Sequence, residues 1–222
     1  MTASTLPQTT TDQQKGFLAT LAEQRWDDHR YYHQSRINQS LHLLSGCMFL
    51  VTYYFLLTKD PIRAAFLGWV GAMVSRQTGH FVFEPTGYDE LNGASNAKKE
   101  EIKVGFNFTR KVLILVAWAL TPLVLYFVPS FFGLFAPWND QHSYLYNLSV
   151  LWIGLGIFGL LARTAWLCAT RRAIDGLAWC TKILTDPFHD IYLYHKSPLY
   201  LLKGELIDPM YHVRSHQQAP GQ

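Results

Sequence analysis

The chain has 222 residues, of which 49% are hydrophobic and 15% aromatic but only 16% charged. Soluble domains carry roughly a quarter charged residues, so this composition argues against one and for a membrane protein. The mean hydropathy of only +0.03 means that the apolar residues are gathered into segments, and a net charge of +3 without any basic run fits an anionic lipid surface and excludes a nucleic-acid binder.

Residues 1–14 are polar and Thr-rich, with no apolar core before a small-residue site, which predicts a disordered tail rather than a cleaved signal. Residues 14–34 predict an amphipathic helix on the membrane surface, ended by a break near 36–38. Four segments then approach the roughly 20 apolar residues a spanning helix needs: 41–58, 62–82, 112–135 and 146–169. The second carries Arg63, Arg76 and Gln77, and Pro122 and Pro129 predict a kink or early exit in the third. The expected fold is all-α, a polytopic membrane bundle of about four transmembrane helices plus amphipathic surface helices. It forms one domain over 15–210, followed by a flexible tail over 211–222.

Basic residues set the orientation. Of the 19 Lys and Arg, only Lys59 and Arg63 fall near the first turn between spans, and none lies in 136–145. The positive-inside rule therefore puts both termini and the loop 83–111 in the cytoplasm. Cys47, Cys168 and Cys180 lack CxxC spacing and read as packing residues. Asn38, Asn107 and Asn147 each begin an N-x-S/T triplet, the first two on the cytoplasmic side, where no glycan is added.

The same topology sorts the nine histidines. His33 and His42 flank the cytoplasmic entrance of the first span, His80 sits at the cytoplasmic exit of the second, and His189 and His195 follow the fourth. His142, in the outer turn, is excluded; His29 is a further possibility, and His212 and His216 lie near a terminus that frays. Nine residues on a straight helix turn through about 900°, so His33 and His42 share a ligand only if the helix breaks between them. His189 and His195, about 600° apart, meet one metal only off a regular helix. Arg76, His80 and Glu84 form an i, i+4, i+8 stripe that Pro85 ends. A single interfacial histidine is ordinarily a headgroup or packing contact, but five on one face favour a metal, and an imidazole set without thiolate suits redox iron better than structural zinc.

Tyr32-His33-x4-Asn38-x3-His42, followed in order by Gly79-His80-x3-Glu84, resembles the Mpo-type 2-hydroxy fatty acid dioxygenases, small membrane proteins of the ER and of bacteria. From Tyr32 to Glu84 the two motifs span about a quarter of the chain. The segment between His42 and His80 looks short for the family, the loop 85–108 is long and polar, and the tail containing Asp186-Pro-Phe-His-Asp and Tyr194-His-Lys-Ser-Pro looks like an addition. The resemblance implies Fe(II) and dioxygen, removal of one carbon from a 2-hydroxy fatty acid, His33, His42 and His80 at the metal, and Asn38 and Glu84 as catalytic neighbours; the topology alone adds His189 and His195 as candidate ligands. Arg36, Arg76 and Lys196 are the cations available to hold the substrate carboxylate. Two other readings stay open: a membrane di-iron hydroxylase or desaturase, for which His29-x3-His33 has one spacing but no HxxHH occurs, and a lipid transporter or binding protein that uses Arg76, Arg163 and Glu84 as intramembrane polar groups.

Overall fold

The computed structural model describes residues 15–102 and 108–211. The expected tail 1–14, all of the expected tail 211–222 except Tyr211, with His212 and His216, and Asn107 lie outside them. Among the described residues there is no strand, only two isolated bridges, Ser35 with Ile207 and Asp89 with Ala94. The helices are α1 (Phe17–Tyr32), α2 (Arg36–Leu57), α3 (Pro61–Ala65), α4 (Val74–Thr78), α5 (Asn96–Ile102), α6 (Phe108–Phe127), α7 (Gln141–Thr170), α8 (Ala173–Tyr194) and α9 (Ser197–Leu202). Two π-wound stretches, Phe66–Met73 and Gly79–Phe83, join α3, α4 and Glu84 into one winding path.

Two helices, Arg36–Leu57 and Gln141–Thr170, are long and apolar enough to cross a membrane, and only 22% and 28% of their apolar windows are buried within the protein. A soluble core helix would be mostly covered; here Leu44, Val51, Leu57, Ile157, Phe158 and Leu161 stand exposed, as lipid-facing side chains do. The stretch expected as the second span is the wound path, and the third ends at Phe127 instead of residue 135. The prolines explain that end. Pro122 and Pro129 each lack an N–H, which leaves the carbonyls of Trp118 and Leu125 without helical donors. Thr121 Oγ1 donates to the first (2.6 Å) and Trp138 Nε1 to the second (3.0 Å).

α8 packs on α1, α2 and α7. Two glycines allow close approach: a Cβ on Gly46 would stand 2.9 Å from the Pro187 carbonyl oxygen of α8, and one on Gly79 would stand 2.1 Å from Asn38 Oδ1. α1 crosses α8 through polar ties, Gln24 to the Asp175 carbonyl, Arg25 to Thr185 and Lys182 to Asp28. Asn147 is buried, and its side-chain amide donates to the Ala136 carbonyl. Cys47 is exposed, not packed, while Cys168 and Cys180 are half-buried. An outward position on a helix in lipid is as apolar as a core position, so composition did not separate them.

Candidate metal centre

The helix break falls at 33–35, three residues before its expected place. Ser35 caps α2, its hydroxyl accepting from Asn38 N at 3.4 Å, and His33 closes α1 with φ −135° and ψ 49°. His33 is thereby released from helical periodicity and turns toward His42. A break exposes backbone donors, and Glu84 takes them: its oxygens accept from Gln34 N (2.7 Å), Ser35 N (3.4 Å) and Asn38 Nδ2 (2.8 Å). Pro85 holds Glu84 extended at ψ 134°, which aims the carboxylate at the break. Burial raises the Glu84 pKa, outweighing the donors that favour its anion. Asn38 Nδ2 also bonds the Tyr32 carbonyl at 2.8 Å. The structure thus gives both expected catalytic neighbours, Asn38 and Glu84, a positioning part in the break. From the other side, Arg36 N donates to the Leu206 carbonyl and Asp208 N to the Gln34 carbonyl, which folds the chain after α9 over the same break.

His33, His42 and His80 converge, with one ligand nitrogen of each within 4.8 Å of the others. His33 Nε2 lies 3.2 Å from His42 Nε2, which lies 3.1 Å from His80 Nε2. Nitrogens at about 2.1 Å from a common ion stand roughly 3.0 to 3.4 Å apart, a range that the His33–His42 and His42–His80 separations meet. The partners of the far nitrogens support it. His33 Nδ1 faces the Asp28 carbonyl oxygen at 2.9 Å, and His42 Nδ1 faces Asp190 Oδ2 at 3.3 Å. A carbonyl or carboxylate only accepts, so each Nδ1 carries the proton and each Nε2 keeps its lone pair. His33 Nε2 also lies 3.2 Å from His42 Nδ1, so that N–H is shared between His33 and Asp190, while the Nε2 lone pairs of His33 and His42 remain able to ligate an ion. Burial, then the neighbouring His42, hold the His33 pKa well below its ordinary value, keeping the ring in its neutral, ligating form.

α8 supplies the support in a stripe of four residues at i+4 intervals. Lys182 bonds Asp28 (3.0 Å) and Asp186 (2.7 Å); Asp190 pairs with Arg76 as well as with His42; and the Tyr194 hydroxyl lies 3.2 Å from His29 Nδ1, its ring 5.5 Å from that of His33. Burial and the surrounding carboxylates push the Tyr194 phenol well above its usual range. A cavity of about 260 Å³ opens beside the cluster, lined among others by His42, Tyr53, Met73, Arg76, Gln77, His80 and Lys182.

The other expected site residues fall elsewhere. His189 neighbours Asp190 on α8 and is turned about 100° from it; it is half-buried, and burial and Arg25 depress its pKa. His195 caps α8 in the exposed surface, bonded to the Tyr192 carbonyl. Neither joins the cluster, because the segment between them is regular helix through Tyr194. Arg36 is committed to Glu205 and Asp208, at 2.6 and 2.8 Å, and lies over the Tyr200 ring. Lys196 is exposed. Of the three expected cations only Arg76 lines the cavity, where Lys182, which sequence reasoning missed, joins it. The signal for Lys182, Asp186, Asp190 and Tyr194 was present as their four-residue spacing. Comparison with family models, with curated proteins and with solved structures finds no match.

Proposed function

We propose that the protein is an Fe(II)-dependent membrane dioxygenase that shortens 2-hydroxy fatty acids by one carbon. The observation that carries this reading is the convergence of His33, His42 and His80 beside a cavity that holds two cations. An all-imidazole donor set favours redox iron over structural zinc and leaves adjacent coordination positions open. Three converging imidazoles also match one ion better than the larger set a di-iron centre takes. The resemblance of the two histidine motifs to Mpo-type dioxygenases points the same way.

The stoichiometry closes without a further reductant. A 2-hydroxy acid and one dioxygen give the acid one carbon shorter, carbon dioxide and water, with the C1–C2 bond broken and four electrons passed from the substrate to dioxygen. Iron supplies the one-electron chemistry and a chelation point for a carboxylate and its neighbouring hydroxyl. The chain's own residues do the rest. Arg76, paired with Asp190, and Lys182, paired with Asp28 and Asp186, share those pairs with the substrate carboxylate, Asp190 keeps the His42 proton on Nδ1, the Asp28 carbonyl does so for His33, and the α8 stripe with the folded-back tail keeps bulk water out.

In the same proposal the wound path 61–83 and α6 are two further spans beside α2 and α7. This gives a four-span bundle of the ER or bacterial inner membrane with both termini cytoplasmic, and a reporter after Gln222 reads cytoplasmic. The deciding assay loads the purified protein anaerobically with Fe(II) and follows oxygen uptake and product mass. A 2-hydroxy acid yields a product one carbon shorter, and the acid lacking its hydroxyl turns over poorly. A hydroxylated product of unchanged length, or no oxygen uptake by iron-loaded protein, overturns the proposal.

A further inference from the structure

Two hollows meet at one pair of side chains. The first is the cavity beside the imidazoles. The second is an open groove of about 420 Å³ between the path 69–82 and α6, its walls including Trp69, Val74, Phe81, Val82, Val116 and Ala119. Met73 and Gln77, one helical turn apart, line both hollows. The groove is therefore divided from the metal side by a partition that includes two flexible side chains, one of them a thioether able to repack around a passing chain.

Gln77 is out of place in a surface that only faces lipid. It is 8% exposed, and its Oε1 has no hydrogen-bond partner among the described residues. Its Nε2 reaches only Met73 Sδ, at 3.7 Å. A buried amide oxygen left without a donor is destabilising, and a ligand hydroxyl where the two hollows meet would relieve it. An apolar trough with one unsatisfied polar atom at its head is the form of a site for a long apolar molecule with a hydroxylated end.

We propose that this groove holds the alkyl chain of the substrate, which crosses at Met73 so that its hydroxylated end passes Gln77 and reaches the histidines. The proposal rests on the dioxygenase reading for the identity of the chain and adds its route. Because the chain arrives from hydrocarbon and not from water, burying it contributes little drive. Chain-length selection then comes from the steric end of the groove, and Gln77 reads the hydroxyl by accepting its proton.

The probe is a long-chain 2-hydroxy fatty acid with a diazirine at mid-chain, bound to the full-length Fe(II)-loaded protein without oxygen and irradiated, with labelled residues mapped by mass spectrometry. Label is expected within 69–82 and 112–119, and excess unlabelled 2-hydroxy acid should suppress it. Label concentrated elsewhere overturns the route, as does groove label suppressed by phospholipid but not by the hydroxy acid, which would make ordinary bilayer lipid the occupant. Ala119→Phe, at an exposed position on the groove wall, should cut turnover of long acids about tenfold relative to short ones with iron content unchanged; an equal effect at all lengths counts against the proposal. Gln77→Leu should lower the preference for 2-hydroxy over unsubstituted acid about tenfold. Suppressible groove label without turnover of any acid sinks the dioxygenase reading and leaves the groove standing. Turnover with label elsewhere does the reverse.

Discussion

The two ends of the bundle are held together by different forces. At the histidine end the buried side chains are polar: Asn38 and Gln39 are wholly buried, with His33, His42, Lys182, Asp186, Asp190 and Ser197 close behind. At the other end Ala65, Leu125, Leu148 and Trp152 form an apolar core, packed around by Trp69, Trp118, Phe131 and Trp138. Trp118 stacks on Trp69, with ring centroids 5.4 Å apart, and lies tilted against Trp152 at 5.1 Å. Directional bonds fix atoms to tenths of an ångström, which a ligand set requires. Ring packing tolerates small shifts, which is enough for a scaffold. The molecule places its buried charge where geometry matters and keeps the rest greasy.

That contrast can be broken in order of severity. Replacing His33, His42 or His80 by Ala should each lower bound iron at least tenfold, measured by elemental analysis after anaerobic loading, since each removes a nitrogen donor from a set of three. Full retention in all three variants would end the metal reading. Asp190→Asn keeps the size of the side chain but weakens the hold on His42 Nδ1 and the pair with Arg76; iron affinity should fall about 10- to 100-fold while helicity by circular dichroism stays put. Unchanged affinity would mean that His42 is oriented by packing alone.

Trp152→Phe tests the other end. It removes the 2.7 Å bond from Nε1 to Thr121 and should cost about 1 kcal/mol of stability, seen as a lower unfolding midpoint in detergent, with iron affinity unmoved. A loss of iron in this variant would show that the two ends are coupled. Smallest of all, His195→Ala and His142→Ala should leave both iron and midpoint unchanged, because both residues are exposed and outside the cluster.

The sequence by itself determined the helical class, the need for a break between His33 and His42, and the three histidines, because periodicity, composition and motif spacing are local properties; of its four expected spans, two are helices long and apolar enough to cross a membrane. Pro122 and Pro129 signalled a kink or early exit in the third segment, again a local steric fact, but not that α6 stops at Phe127. The sequence did not separate an exposed Cys47 from a core one, since both positions sit in equally apolar helical sequence. Nor did it choose among the cations: Arg36, Arg76 and Lys196 are alike along the chain, and only the fold commits Arg36 to Glu205 and Asp208, leaves Lys196 in the surface and sets Arg76 against Asp190. The same holds for α8. Its four-residue stripe from Lys182 to Tyr194 is visible in the sequence, but that it closes on His42 and Asp28 depends on packing across more than a hundred residues, where Gly46 lets the Pro187 turn of α8 approach. Tertiary contact decided those matters, because a charge or an imidazole takes its role from what is buried beside it.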